Sequence, residues 1–353
     1  MIISDDIGSF PLPETIEKER VQKILYNLMN PGSNLESSLG IDMIKNKGKT
    51  NEQILYEIVA GAMKFKLNSN IMCPNYPQFQ DMIKSFGLCE RLAEVGKPWV
   101  IPDELARTPE IEMVDKFAEK ENIKINLRVC VTGPLELYLK NFGNNVESDL
   151  MKNIAISVSR FLKCARNFKN IIVCAVSIDE PTLGLNPNIV FSEDDLISAW
   201  DIVIKNAKDC DVQIHLHSSK DIEKVYMSNI PIIGIETAED PKNLEMIDKS
   251  DFEKYDKTLR LGIARTNIFG IAGDYMETSG EDVWKTNNFN EMITVMESKE
   301  IIKKRLIKGY ELFGDKISYA GPDCGLGGWK TQESAFLLLK NTADAVDEFN
   351  KGI

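Results

Sequence analysis

One stretch gives the clearest indication of the fold of this chain: Val212-Gln213-Ile214-His215-Leu216-His217-Ser218-Ser219. Its apolar first half predicts a buried strand, and it contains the only two histidines among 353 residues. Side chains two apart on a strand point to the same face, so His215 and His217 face the same way. Histidine is the commonest metal ligand among side chains. A hydrogen-bonded polar pair at a strand end is the alternative, and the stretch alone does not separate the two.

Two strand ends further along the chain carry other groups that bind metals. Glu236 directly follows the apolar run Ile232–Ile235, and Cys324 lies in the turn Gly321-Pro322-Asp323-Cys324-Gly325. Nitrogen, carboxylate and thiolate ligands from successive strand ends are what a catalytic zinc site is made of. The sequence therefore predicts a zinc site. The alternatives are a core thiol at Cys324 and a carboxylate at a helix start for Glu236.

Strands alternate with helical segments along the chain, which indicates a parallel sheet built of βαβ units. Seven segments are predicted strands, with weaker candidates at the extreme N-terminus and at 97–102; the seven are 69–73, 125–131, 171–178, 212–216, 232–235, 259–263 and 317–320. This pattern favours an α/β fold with one (β/α)8 TIM barrel over residues 1–353. Asp179, His217, Glu236 and Cys324 fall at C-terminal strand ends, where such barrels have their active sites. A doubly wound open sheet is the alternative, but it would show a glycine-rich dinucleotide loop after an early strand.

Residues 1–68 form a predicted N-terminal helical extension of the barrel. This segment contains the loop Gly8-Ser9-Phe10-Pro11 and two predicted helices, over 14–29 and 51–66. The polar residues 34–50 between the helices show little periodicity and predict an irregular excursion.

Composition excludes several classes of protein. The net charge of −12 argues against binding to nucleic acid or to an anionic membrane surface. Seven scattered cysteines do not form a disulfide framework. The N-terminus lacks a basic region followed by an apolar core, so no secretory signal is visible. We expect a cytoplasmic protein.

Six short motifs carry a resemblance to a known family, and they occur in one order along the chain: Gly8-Ser9-Phe10-Pro11, Val131-Thr132-Gly133-Pro134, Ile178-Asp179-Glu180-Pro181, Gln213-Ile214-His215-Leu216-His217, Ile235-Glu236-Thr237 and Pro322-Asp323-Cys324-Gly325-Leu326. Together they resemble the catalytic C-terminal barrel of cobalamin-independent methionine synthase, in its short archaeal form. Zinc thiol methyltransferases and uroporphyrinogen decarboxylase share this superfamily. The resemblance implies a methyltransferase that moves a methyl group from a methylated corrinoid, or a corrinoid protein, to a thiol such as homocysteine.

The resemblance also implies the zinc ligands. His217, Glu236 and Cys324 fall on ligand positions of the family, but the ligand cysteine of the family falls on Ser219. A neutral hydroxyl is a poor zinc ligand compared with a thiolate. Three explanations stay open at this point: His215 supplies the missing ligand, water fills the position, or the metal binds more weakly or differs.

The substrate pocket that the resemblance implies departs from the family at one position. Ser9 would contact the carboxylate of a homocysteine-like substrate and Asp179 its ammonium group, while a strand-end cap is the alternative role for Asp179. Tyr76 stands where the family has a second carboxylate for the ammonium. Tyr76 or Gln78 would then line the pocket, and a thiol without an ammonium group, such as coenzyme M, becomes credible. A non-catalytic or lyase-type paralogue is the remaining alternative.

Overall fold

A parallel β-sheet surrounded by helices forms the centre of the molecule. The structure is a computed structural model that describes residues 1–30, 49–189, 191–207 and 209–352. Within these residues the sheet has seven strands, in the order β1-β7-β6-β5-β4-β3-β2. The strands are β1 Ile3–Ser4, β2 Ile125–Thr132, β3 Ile171–Asp179, β4 Asp211–Leu216, β5 Ile232–Ile235, β6 Thr258–Ala264 and β7 Ile317–Pro322. An α/β fold consistent with a TIM-type barrel is therefore confirmed.

Helices precede or follow nearly every strand. They are α1 Lys18–Met29, α2 Asn51–Asn68, α3 Met82–Arg91, α4 Pro109–Glu121, α5 Pro134–Phe142, α6 Ser148–Ala165, α7 Glu193–Ile204, α8 Glu223–Tyr226, α9 Lys242–Glu245, α10 Lys249–Lys254, α11 Ile268–Ser279, α12 Val283–Thr286, α13 Phe289–Met296, α14 Lys299–Phe313 and α15 Gln332–Asn350. No helix within the described ranges is long and apolar enough to cross a membrane.

A short irregular segment around Cys73 lies between the two edge strands of the sheet, β1 and β2, and forms one bridge beside β1 and another with β2. Cys73 forms an isolated parallel bridge with Asp5, and Asn75 forms one with Arg128. The amide of Arg128 donates to the carbonyl of Pro74 at 2.8 Å. The predicted strand at 69–73 is therefore wrong as a regular strand. Its chain turns at Asn70, where φ is +64°, and Pro74 has no amide hydrogen for a ladder.

The other sequence-based elements need smaller corrections. Residues 97–102, for which the sequence leaves both a strand and a connector open, form a connector, with Trp99 at a positive φ of 66°. The N-terminal candidate is a strand, although it is only two residues long. Helix α2 begins at a capping box in which Thr50 and Gln53 satisfy each other's backbone amides. Most of the predicted excursion at 34–50 lies outside the described residues, and the single-domain assignment stays a prediction.

The inside of the sheet is apolar at one level and charged at the next. Cys73, Ala175, Ile232 and Tyr319 pack together in a small cluster separate from the main core. Ala175, Ile232 and Tyr319 come from β3, β5 and β7, which are not neighbours in the sheet, so these side chains meet inside the curved sheet. Asp5 is also fully buried, and it accepts hydrogen bonds from Arg128 and Arg260.

Candidate metal centre

Four side chains from three strand ends converge at the carboxyl edge of the sheet. The group consists of His215, His217, Glu236 and Cys324, and the ligand atoms all lie within 4.8 Å of one another. Glu236 Oε1 is 3.7 Å from His215 Nε2 and 3.2 Å from His217 Nε2. Cys324 Sγ is 3.7 Å from His217 Nε2. The structure therefore brings together the four residues that the sequence analysis singled out.

The register of the strands produces this convergence. Strand β4 pairs with β5 so that Leu216 lies beside Ile235, and the next residues on each strand are His217 and Glu236. The amide of Glu236 donates to the carbonyl of Leu216 at 3.4 Å, which continues the ladder by one residue. The carboxyl ends of parallel strands meet at one edge, so side chains that follow them are brought close together.

Burial dominates the electrostatics of the group. It lowers the pKa of His215 well below the usual range of a histidine, and it lowers the pKa of His217 with a contribution from His215. Burial also raises the pKa of Glu236, and burial together with Glu236 raises the pKa of the Cys324 thiol. Neutral imidazoles are the form that binds metals. A divalent cation would favour ionised Glu236 and Cys324, because it offsets the cost of burying their charges.

His215 provides the test of whether the group fits a metal. Its side chain is only 3% exposed, and neither ring nitrogen has a hydrogen-bond partner among the described residues. A buried polar atom without a partner is costly, and coordination of a metal ion by one ring nitrogen would offset that cost. Two imidazoles, a carboxylate and a thiol are also the donor types that zinc prefers. The residues present therefore fit a zinc ion.

Ser219 is not part of the converging group. Its hydroxyl donates to Asn243 Oδ1 at 3.1 Å, and its amide donates to the same oxygen at 3.0 Å. The serine is therefore engaged by α9 rather than by the candidate ligands. This arrangement leaves His215 as the additional donor beside His217, Glu236 and Cys324.

Asp323 connects the cysteine turn to the loop after Glu236, a role that the sequence analysis missed. Its carboxylate accepts hydrogen bonds from the amides of three consecutive residues, Thr237, Ala238 and Glu239, at 3.1, 3.1 and 2.6 Å. A side chain at Gly262 would overlap Asp323 Oδ1, so glycine is needed there for space. Asp323 therefore holds the turn that contains Cys324 against the loop that follows Glu236.

Two predicted substrate-binding residues lie near the centre. The Ser9 hydroxyl is packed against Gly325 and Gly327, in the turn that begins at Cys324. Asp179 ends β3 and accepts a hydrogen bond from Ser177 at 2.8 Å, and burial raises its pKa to about 6. The capping role left open for this strand end belongs to the next residue. Glu180 accepts from the amides of Leu135 and Glu136 at the start of α5.

Tyr76 and Gln78 lie in the irregular segment after the bridge at Asn75. Tyr76 is 1% exposed and its hydroxyl donates to the carbonyl of Cys130 at 3.2 Å. Its ring lines an apolar cavity together with Phe86 and Val131. Gln78 adopts a positive φ of 50° and its Oε1 accepts from Asn75 Nδ2 at 3.0 Å. Both side chains are held by the protein itself, and their role towards a substrate stays a prediction.

Comparison with solved structures finds similar folds at low sequence identity. A B12-independent methionine synthase from Shewanella sp. W3-18-1, in complex with selenomethionine, aligns with a TM-score of 0.65 at 13% identity, over 100% of both chains. A putative vitamin-B12 independent methionine synthase from Listeria monocytogenes aligns with a TM-score of 0.58 at 11% identity, over 99% of both chains. A methyltransferase from Methanosarcina mazei gives a TM-score of 0.52 at 12% identity, over 98% of this chain and 94% of the other. No family model and no curated protein matches the sequence. At this identity the likeness establishes the fold.

Proposed function

We propose that this protein is a zinc-dependent methyltransferase that moves a methyl group from a methylated corrinoid, free or on a corrinoid protein, to a thiol. The observation that carries the proposal is the convergence of His215, His217, Glu236 and Cys324 within 4.8 Å. The fold likeness to methionine synthases and to a methyltransferase supports the same class of reaction.

In this proposal the four converging residues hold the zinc ion, with His215 in place of the cysteine that the family has at Ser219. When bound, zinc lowers the pKa of a coordinating substrate thiol, so that the thiolate needed for methyl transfer is available near neutral pH. Four protein donors are one more than the three of most catalytic zinc sites. His215, His217, Glu236 and Cys324 would hold the ion, and a substrate thiol would have to bind beside them or replace one of them.

The remaining residues would bind and orient the acceptor. Ser9 lies against the Cys324 turn, where its hydroxyl can donate to an acidic group of the substrate. Asp179 ends the strand next to the histidine strand, and its carboxylate can pair with an ammonium group. Tyr76 supplies no second charge for that ammonium, because it is a buried neutral phenol that donates to Cys130. We therefore propose that homocysteine and thiols without an ammonium, such as coenzyme M, are both candidate acceptors.

A second candidate function is a non-catalytic or lyase-type paralogue of the same superfamily. The engagement of Ser219 by Asn243 favours it, since this position is a metal ligand in the family that the sequence resembles. Metal content separates the two candidates, because only the methyltransferase needs a loaded centre.

The decisive experiment combines elemental analysis with a methyl-transfer assay. We expect about one zinc per chain, as three or four protein donors of these types imply, and transfer from methylcobalamin to homocysteine, coenzyme M or mercaptopropionate. Cys324→Ala should lose most of the zinc and the activity. Cys210→Ala is the matched control, since that thiol lies beside the start of β4 and donates to Ala207. Full zinc retention in Cys324→Ala would refute the assignment, and a metal-free wild-type protein would favour the paralogue.

A further inference from the structure

The side-chain amide of Asn243 uses both of its polar atoms at the ends of β4 and β5. Its Nδ2 donates to the carbonyl of His217 at 3.0 Å and to the carbonyl of Glu236 at 2.8 Å. Its Oδ1 accepts from the amide and the hydroxyl of Ser219 at 3.0 and 3.1 Å. The residue is 3% exposed. Four hydrogen bonds from one buried amide therefore join two loops that are separated along the chain.

The two carbonyls that Asn243 binds belong to two of the four candidate ligands. Fixing the carbonyl of a residue restricts the orientation of its peptide, and with it the direction of its side chain. A distance of 3.2 Å between His217 Nε2 and Glu236 Oε1 depends on both backbones being held. Residues that orient ligands in this way contribute to metal affinity although they never touch the metal.

We propose that Asn243 is a positioning residue of the metal centre, which sets the separation of His217 and Glu236 through their carbonyls. The inference rests on the proposed metal role of these residues. It also gives Ser219 a role, because its hydroxyl and its backbone amide both donate to Asn243 Oδ1. A cysteine there would have only a weak S–H donor. We call the hydrogen bonds of Asn243 with Ser219, His217 and Glu236 the clamp. Ser219 thus belongs to this clamp at the position where the resembled family has a metal ligand.

An amide is the side chain that this position requires. Asparagine offers two donor hydrogens and a carbonyl oxygen with two lone pairs, which matches two carbonyls on one side and two donors on the other. Aspartate has nearly the same shape but no donor. In Asn243→Asp a carboxylate oxygen would therefore face the carbonyl oxygens of His217 and Glu236, and the clamp would become repulsive.

Asn350 provides a matched control, because it is a second amide that clamps backbone atoms. It accepts from the amide of Ile2 at 2.8 Å and donates to the carbonyl of Ile2 at 2.8 Å. Ile2 directly precedes β1, so this clamp lies at the amino end of the strands, away from the candidate metal centre. Asn350→Asp removes a comparable interaction without touching a ligand residue.

The test measures zinc affinity by competition with a chromophoric chelator, the absorption spectrum of the Co²⁺-loaded protein, and thermal unfolding of the metal-free protein. We expect Asn243→Asp to weaken zinc binding by about 10–100-fold, the usual effect of losing a group that orients ligands, and to change the Co²⁺ spectrum. Asn350→Asp should lower the unfolding temperature and leave both metal readouts unchanged. If Asn243→Asp instead behaves like Asn350→Asp, the clamp is structural only and the proposal is wrong.

Two further outcomes are informative. If Asn243→Asp does not fold, Ser219→Ala removes only the hydroxyl donor, and it should still shift the Co²⁺ spectrum; an unchanged spectrum would overturn the proposal. A wild-type protein that binds neither Zn²⁺ nor Co²⁺ would overturn the metal assignment itself, and the positioning role with it. Failure of the clamp and failure of the centre are therefore distinguishable.

Discussion

Replacing His215 by alanine tests the least expected member of the candidate metal centre. The side chain is buried and both ring nitrogens lack partners among the described residues. If His215 is a ligand, the variant loses a zinc donor. If the nitrogens instead face ordered water, the variant loses only a buried polar ring. The two cases predict different changes in zinc affinity.

The magnitude follows from the free energy of zinc binding. Sites with four protein donors bind zinc with about 10–16 kcal/mol at neutral pH, or roughly 2.5–4 kcal/mol for each donor. His215→Ala should therefore weaken zinc binding by roughly 10²–10³-fold. The metal-free variant should change much less in stability, because the cost of the cavity is offset by removal of unpartnered polar atoms.

The assay is a competition titration together with thermal unfolding at several zinc concentrations. A ligand that binds only the folded state adds about 2.7 kcal/mol at a hundred times its Kd, and the stabilisation shrinks as the Kd rises. At a fixed zinc concentration the unfolding temperature of His215→Ala should therefore rise less than that of the wild type. A zinc Kd within about threefold of wild type, well below the expected loss, would refute the role of His215 as a ligand.

Three other predictions concern the surroundings of the centre. Asp179→Asn should reduce kcat/KM for homocysteine more than for coenzyme M. Burial raises the pKa of Asp179 to about 6. The preference of the wild type for homocysteine should therefore fall as the pH drops below that value, because the carboxylate is then protonated. Tyr76→Phe should lower the free energy of unfolding by about 1 kcal/mol through loss of its bond to Cys130, and a large rise in the KM for homocysteine would contradict a purely internal role. Gly262→Ala should displace Asp323 and weaken zinc binding in the competition assay, whereas unchanged affinity would show that the loop tolerates the shift.

Much of the fold could be predicted because the central strands are apolar runs bounded by clear breaks. The predicted strand at 232–235 agrees with β5 at both ends, and the predicted helix at 51–66 begins where α2 begins and ends two residues before it. The segment around Cys73 could not be predicted correctly, because two single bridges satisfy its backbone where the sequence favours a regular strand. Pairing with distant parts of the chain determines the backbone conformation of this segment, and local strand propensity does not indicate such pairing.

The candidate ligands were easier to predict than the residues that hold them. Two histidines on one strand face, a glutamate after the next strand and a cysteine in a glycine turn are visible in the sequence. The roles of Asn243 and Asp323 leave no such pattern, because their side chains bind mainly backbone atoms of other segments. Asp323 and the amide of Thr237, for example, are 86 residues apart. Every residue has the backbone atoms that accept or donate these hydrogen bonds. The sequence of the partner segment therefore does not reveal such contacts.

In the proposed centre, charge balance would allow His215 to take the place of the ligand cysteine that the resembled family has at Ser219. With Glu236 and Cys324 ionised, the proposed ligands carry two negative charges, and a divalent cation makes the buried centre neutral. A second thiolate would leave one uncompensated negative charge in a buried site, and such a charge is costly to bury. The neutral centre would lower the pKa of an incoming thiol further, since the cation is less screened by its ligands. A thiolate of lower pKa is also a weaker nucleophile. In the proposed centre, a histidine in place of a second thiolate would therefore favour deprotonation of the acceptor thiol at the expense of the nucleophilicity of its thiolate.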